Sequence, residues 1–315
     1  MKTHARVVVI GGGAIGISVL YHLAKYGWQD VVLVEKHELT SGSTWMAAGN
    51  CSYYHPSYYC TQVNMKSIEL YQALEEETGQ PTGWHTSGSI RTADNPDRMD
   101  ELGYYYSMNR CLGLNVNWVT PEEIGKLHPL METAGLMGGL YWPDDGDVDP
   151  SSISQSMAAG ARKYGAEIYS HTQVNGITQS ASGEWVVNTE KGDITCEHVV
   201  NAGGLWAPQV AAMVGLEIPS IAIEHTHILF EAIGAVEERE TMLPLVRDPD
   251  RSIYVRQEMD SLILGMYEQV GKQWFPEGVP WDYAQTELQP DIDNVAQCIE
   301  DGILRFPIMG ETGFK

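Results

Sequence analysis

The sequence predicts an α/β chain in which a parallel βαβ domain, built from discontinuous stretches, carries an inserted, mostly antiparallel sheet domain. Three observations lead there. The β-branched run Val7, Val8, Val9, Ile10 meets glycines at once and is followed by apolar residues at helical spacing from Ala14 to Tyr26, the pattern of strand, tight turn and helix. After Gly27 the chain returns as a second apolar strand, Val31 to Val34, which closes in Glu35 and Lys36. Past Gly215 the texture changes to alternating strand-like pieces, Ile221 to Phe230, Ser252 to Gln257 and Leu262 to Met266, which favour antiparallel pairing over more βαβ units.

The elements between follow in order. Met65 to Thr78 has Ile68, Leu70, Tyr71 and Leu74 on a helical repeat, with Gly79 as its stop. Short strands and turns are expected around Ser87 to Thr92. Helices are expected over Tyr104 to Leu112 and Pro121 to Leu127, the second with Thr120 as N-cap and Pro121 at its first position. Ser151 to Tyr164 reads as a helix and Glu167 to Tyr169 as a strand. Trp185 to Thr189 and Ile194 to Glu197 read as a hairpin around Lys191 and Gly192, and His198 to Ala202 as a buried strand ending in Gly203 and Gly204. The expected division is a dinucleotide-binding part over 1–84 and 146–217 and a sheet part over 85–145 and 218–315, with no internal repeat.

Composition excludes several classes. The 315 residues are 43% hydrophobic, enough for a substantial core. The 19 Lys and Arg against 42 Asp and Glu leave a net charge of −23, which repels nucleic acid and anionic membrane surfaces and reads as a solvated acidic surface. Cys51, Cys60, Cys111, Cys196 and Cys298 are odd in number, with no CxxC pair, against a disulfide framework or a zinc site. No stretch has the roughly 18 uninterrupted apolar residues of a membrane helix. A cytoplasmic location is expected.

Gly11, Gly13 and Gly16 have G-x-G-x-x-G spacing after a strand and at the start of a helix. There the amides and dipole of the helix N-terminus favour a pyrophosphate. Glu35 ends the next strand, 22 positions beyond Gly13, where a carboxylate accepts ribose hydroxyls and disfavours a 2′-phosphate. FAD or NAD is therefore expected before NADP. The continuation LTSGSTWMAAG, Leu39 to Gly49, supplies the hydroxyls of Ser41, Ser43 and Thr44, and small residues at Ala47, Ala48 and Gly49 that let backbone approach a flat ring. It suggests an extended dinucleotide; a plain loop rich in turn formers is the other reading.

The opening VVVIGGGAIGISVLYHLAKYG, the strand end VLVEK, SGSTWMAAGN, LYQALEEETGQ with GSIR, DGDVDP, AAGARKYGA, VVNAGGLWA and IYVRQE together resemble the dimethylglycine dehydrogenase, sarcosine dehydrogenase and dimethylglycine oxidase group across almost the whole chain. The resemblance implies the D-amino-acid-oxidase-like fold, a Rossmann-like FAD-binding domain with an inserted antiparallel substrate-binding sheet. It implies FAD as cofactor and oxidative removal of an N-methyl group from a small methylated amino acid. Two departures stand out. The family commonly has a flavin-linking histidine at the position of Met46, and a thioether cannot take that role, so FAD is expected to be non-covalent. Family members also continue into a flavin-covering segment and a folate-binding region beyond the equivalent of Lys315, so this chain is read either as a fragment or as needing a partner.

By the same resemblance, Gly11, Gly13, Ala14, Ile15 and Gly16 hold the diphosphate, and Glu35 and Lys36 stand at the ribose. Ser43, Thr44, Trp45, Met46 and Ala48 follow the cofactor, Trp45 being either a wall for the ring or core. Val174 matches the backbone that meets adenine, Ala202 and Gly203 leave room at a strand end, and Trp206 walls it. His225 and Tyr254 match the active-site histidine and tyrosine, as proton relay and positioning phenol; packing in the sheet is their alternative. His227 is expected to share a strand face with His225, without a third ligand for a metal. Arg256 could attract a substrate carboxylate or make a structural ion pair. Expected partners are a small amine substrate, tetrahydrofolate through a further C-terminal region, and an electron-transfer flavoprotein. An oxidase of unmethylated amino acids and a non-catalytic flavin-binding subunit are the competing readings.

Overall fold

A continuous β-branched strand needs apolar cover on both faces, and Val7 to Ile10 have it, all being buried. In the computed structural model, which describes residues 1–286, 289 and 291–315, this run ends the strand His4–Ile10 in a six-stranded sheet. The order across that sheet is Glu167–Tyr169, Val31–Val34, His4–Ile10, Gly192–Asn201, Trp185–Thr189, Val174–Gln179. The first four strands are parallel and the last two antiparallel. Helices Ala14–Lys25, Tyr58–Thr78 and Pro150–Lys163 cover one face, Ile17, Leu20, Leu74 and Met157 packing with Val7, Val9 and Leu33. Val8, Ile10, Val32 and Val34 point to the opposite face, with Ile177 and Val187, as the two-residue repeat of a strand requires.

The second sheet has seven strands in the order His227–Leu229, Ser261–Met266, Ile253–Glu258, Leu245–Asp248, Ser89–Ala93, Gly138–Trp142, Asn117–Val119. Every neighbour is antiparallel except the parallel pair Leu245–Asp248 with Ser89–Ala93. Helix Ile292–Arg305 contributes Val295 and Cys298 to the same core as Val255, Leu262 and Leu264. A short ribbon pairs Asn50–Cys51 with Gly146–Asp147. Among the described residues no helix is long and apolar enough to cross a membrane.

Several elements differ from the sequence expectation, each for a local reason. The helix expected from Met65 begins at Tyr58, because its first two turns leave Tyr58, Tyr59 and Val63 exposed and so lack an apolar stripe. The helix expected from Tyr104 begins at Pro96, where the Asn95 side chain accepts the Arg98 amide at 2.9 Å. Ile194 to Glu197 and His198 to Ala202 are not two strands: Gly192–Asn201 is one. It is not buried along its length either. His198 and Asn201 are exposed, since the antiparallel partner ends at Cys196. Only His227–Leu229 of the strand expected over Ile221 to Phe230 is a strand. The preceding residues bond instead to the 268–274 segment, the Glu224 amide to the Lys272 carbonyl at 2.9 Å. The strands Asn117–Val119, Gly138–Trp142, Val174–Gln179 and Leu245–Asp248 and the helix Ile292–Arg305 were not expected.

Candidate active site

A cavity of about 390 Å³ opens where His4–Ile10, Val31–Val34 and Gly192–Asn201 end, the carboxyl edge at which parallel sheets take ligands. The glycine turn there is close-packed. Gly11 has φ +113°, and a Cβ on it would lie 2.3 Å from the Ala202 carbonyl oxygen. On Gly16 it would lie 1.9 Å from the Gly11 carbonyl oxygen. The helix that follows begins with unpaired amides. Thr44 Oγ1 accepts that of Ala14 at 3.0 Å, and those of Ile15 and Gly16 have no helical acceptor, which leaves donors facing an anion. Glu35 accepts the Gly12 amide at 2.6 Å and the His37 amide at 2.9 Å, so both carboxylate oxygens are fixed at the rim. A dinucleotide phosphate and ribose fit this arrangement of bare backbone, open donors and anchored acid.

Most of the residues expected at the cofactor line this cavity: Gly11, Gly13, Ala14, Ile15, Glu35, Lys36, Ser43, Thr44, Val174, Ala202, Gly203 and Trp206. Val174 opens the strand that comes next after Glu167–Tyr169. Gly16 sits beneath the cavity as a packing glycine. Trp45, Met46 and Ala48 do not line it; they are partly buried, and the Trp45 Nε1 has no hydrogen-bond partner among the described residues. Lys36 places its ammonium 3.4 Å from the Trp206 ring centroid and donates to the Trp281 carbonyl. Burial lowers its pKa to about 8 against the opposing pull of Glu35 and Asp282. Trp281 also lines the cavity. Its segment is clasped in place: Trp206 Nε1 donates to the Pro280 carbonyl and Gln209 Nε2 to the Val279 carbonyl, both at 2.9 Å.

Ser43 and Thr44 belong to this cavity, and a few residues later Asn50, Cys51, Ser52 and Tyr54 line a second one of about 620 Å³. Met46 lies on the chain between the two. The second cavity also takes Arg91, Arg247 and Tyr267 from the antiparallel sheet. Residues in register across that sheet are Arg91, Arg247, Tyr254, Gly265 and His227, and directly opposed residues share a face. The Tyr254 hydroxyl is pushed up to about 12, first by burial and then by Tyr267, so it is a neutral donor at physiological pH.

His225 precedes the edge strand instead of lying in it, so the shared face expected with His227 does not exist. Its Nδ1 is 2.7 Å from Glu268 Oε2. Burial alone would raise the Glu268 carboxyl, but hydrogen bonds from the His225 ring and backbone amides outweigh it and hold it low. The Tyr267 ring joins the two expected catalytic residues, with centroids 5.8 Å from His225 and 5.7 Å from Tyr254. Arg256 is taken by Asp147 at 3.6 Å and by Glu258, the structural ion pair of its two readings. Sequence reasoning missed Tyr267, Glu268, Arg91 and Arg247. Of these only Arg91 stood in a quoted motif, GSIR, and the others carry no local signal.

A chain with this glycine turn, anchored acid and adjoining polar cavity is of the class of dinucleotide-binding oxidoreductases with two sheets. Residues 6–311 match the family model described as FAD dependent oxidoreductase; the protein belongs to that family, and FAD is its cofactor. It is 40% identical over 313 residues to "Dimethylglycine dehydrogenase, mitochondrial" of Mus musculus, covering 98% of this chain and 36% of that protein. To "Sarcosine dehydrogenase, mitochondrial" of Mus musculus it is 36% identical over 321 residues, covering 100% of this chain and 34% of that one. The chain thus spans about a third of the length of these curated relatives. The solved structure of L-proline dehydrogenase from P. horikoshii superposes with a TM-score of 0.85 at 25% identity, covering 100% of this chain and 80% of that one.

Proposed function

We propose that the protein oxidises the C–N bond of a small N-methylated amino acid of the dimethylglycine or sarcosine type. The products would be the demethylated amine and either formaldehyde or a folate-bound one-carbon unit. The observation that carries the reading is the 40% identity to a dimethylglycine dehydrogenase over 98% of this chain. When bound, FAD supplies the two-electron acceptor. The chain's own residues do the rest. Gly11, Gly13, Ala14 and Ile15 bind the diphosphate and Glu35 the ribose, with Gly16 letting the turn pack close. The neutral Tyr254 phenol donates a hydrogen bond to the substrate. His225, oriented by Glu268 through Nδ1, leaves Nε2 to take or pass a proton near neutral pH. Partial burial of the second cavity disfavours the ammonium form and keeps the nitrogen lone pair available.

Met46 leaves no imidazole to bond to the flavin, so the cofactor is held non-covalently. Tetrahydrofolate, bound through a further region, and an electron-transfer flavoprotein are the partners that fit this chemistry. The five cysteines are all free thiols, which suits a reducing compartment, and we assign the cytoplasm. The test is anaerobic addition of dimethylglycine, sarcosine, glycine and D-alanine to the full-length, FAD-loaded protein. The methylated amines should bleach the flavin, and acid denaturation should release it into the supernatant. Bleaching by the unmethylated amines alone would overturn demethylation, and flavin retained on the precipitated chain would overturn non-covalent binding. Met46 also favours a second reading, a flavin-binding subunit without turnover, for which no amine bleaches the flavin.

A further inference from the structure

The wall of the cofactor cavity comes from the dinucleotide-binding part with one exception. Among the described residues that line it, Trp281 alone comes from beyond Val210 in sequence. It belongs to a loop, 274–283, that follows the strand Ser261–Met266 of the antiparallel sheet. The loop closes on itself: the Trp274 ring meets that of Tyr283 with centroids 4.7 Å apart and that of Phe275 at 4.3 Å. The Gly278 amide turns back to the Phe275 carbonyl at 2.9 Å, and the Tyr283 amide to that of Pro280 at 3.2 Å. A short segment with joined ends, packed by its own side chains, is a compact Ω-loop.

The tip of this loop is held from outside, by side chains. Three successive carbonyls, those of Val279, Pro280 and Trp281, accept from Gln209 Nε2 at 2.9 Å, Trp206 Nε1 at 2.9 Å and the Lys36 ammonium. All three donors stand on the dinucleotide-binding part, and Val279 between them is only 3% exposed. Among the described residues no backbone hydrogen bond joins 274–283 to that part, so the tip can lift without breaking a strand ladder. Lys36 has an indole face and a carbonyl as partners in place of a carboxylate: its ammonium lies 3.4 Å from the Trp206 ring centroid and 5.8 Å from that of Trp281. A cation over an indole gains most where water is excluded, so this contact is strongest when the cavity is filled.

We propose that the 274–283 loop is a strap that retains FAD, with Trp281 as a further cofactor-contacting residue and Lys36 as its latch. This rests on the non-covalent FAD proposed above. Trp281 stands beside Lys36, the neighbour of the ribose acid Glu35, and so meets the adenosine half, where an indole offers a purine base a stacking platform. The test is the rate at which full-length, FAD-loaded protein loses FAD on rapid dilution, followed by the rise of free flavin fluorescence. Trp281→Ala should release FAD about 10- to 100-fold faster, the range for one base stacked on an aromatic ring. Lys36→Met should do the same, the range for a hydrogen bond from a charged group, and Gln209→Ala should accelerate release about two- to tenfold, the range for a neutral one. Trp281→Phe keeps a flat ring and should recover most of the wild-type rate. Lys36→Met combined with Trp281→Ala should be little faster than either alone, because both open the same loop.

Trp281→Ala and Gln209→Ala proteins that shed FAD at the wild-type rate would overturn the strap, and a fast Lys36→Met beside them would assign that lysine to the cofactor directly. Gln209→Ala places the best helix former in the helix Ala207–Ala212, so it decides the matter if the other variants fail to fold. Flavin that stays on the acid-precipitated chain sinks non-covalent binding and the strap together, since a bonded cofactor has no departure to slow. Flavin freed by acid, with unchanged rates in the variants, sinks the strap alone.

Discussion

At Gly265 the antiparallel sheet has no room for a methyl group. The Tyr254 ring lies across that backbone, and a Cβ would fall 1.8 Å from its Cζ. Gly265→Ala should push the phenol off its position and lower the rate of flavin reduction about 100-fold, the scale of a 1 Å displacement. FAD content should stay normal; an unaltered reduction rate would show that the ring is not held by this contact. Asp145 makes a second prediction at this scale. Burial raises its carboxyl from 3.8 to about 6, against hydrogen bonds from Ser89, Tyr53 and Ser52. A folded value above the unfolded one favours the neutral acid, so the stability it contributes is whole below about pH 4 and lost as the pH rises through 6. Asp145→Asn cannot ionise. Its melting midpoint relative to wild type should therefore rise between pH 4.5 and 7, by the equivalent of about 3 kcal/mol at most; a constant offset would acquit this acid. The glycine turn and Glu35 were legible in the sequence because their meaning is local. Arg91 and Arg247 acquire theirs only from strand register, which joins positions 156 residues apart and leaves no trace in either neighbourhood.

Among elements, the legible ones carry their own terminators. Pro121–Leu127 begins where expected because its signal is a capping box: Glu123 Oε2 accepts the Thr120 amide at 2.8 Å, and Thr120 Oγ1 accepts the Glu123 amide at 3.3 Å. Thr120→Ala should cost about 1 kcal/mol, measured by denaturant unfolding; no loss would mean that the helix is held by packing alone. Val31–Val34 was readable for a similar reason, being a short apolar run between Asp30 and Glu35. Asn117–Val119 and Leu245–Asp248 were not, since three or four residues are too few to show a period and their pairing is decided by distant strands. The edge strand at His227 is shorter than its sequence suggests because His225 and Thr226 both bond to Glu268, which draws the chain away from the ladder.

At the scale of the molecule, each sheet has its own core. The clusters around Val9 and Val8 flank the parallel strands, and the one around Leu264 serves the antiparallel sheet. The antiparallel pairing past Gly215 was foreseen from the change of texture there, and the parallel pair within the second sheet was not. The residues between Val279 and Trp281 are the exception to this separation. They follow the antiparallel sheet in sequence, yet Trp281 packs with Val8 and Ile10, and their carbonyls take donors from Lys36, Trp206 and Gln209. That clasp fastens a stretch distant in sequence to the rim of the cofactor cavity at three backbone carbonyls, so part of the chamber's wall is borrowed from chain that lies beyond the antiparallel strands.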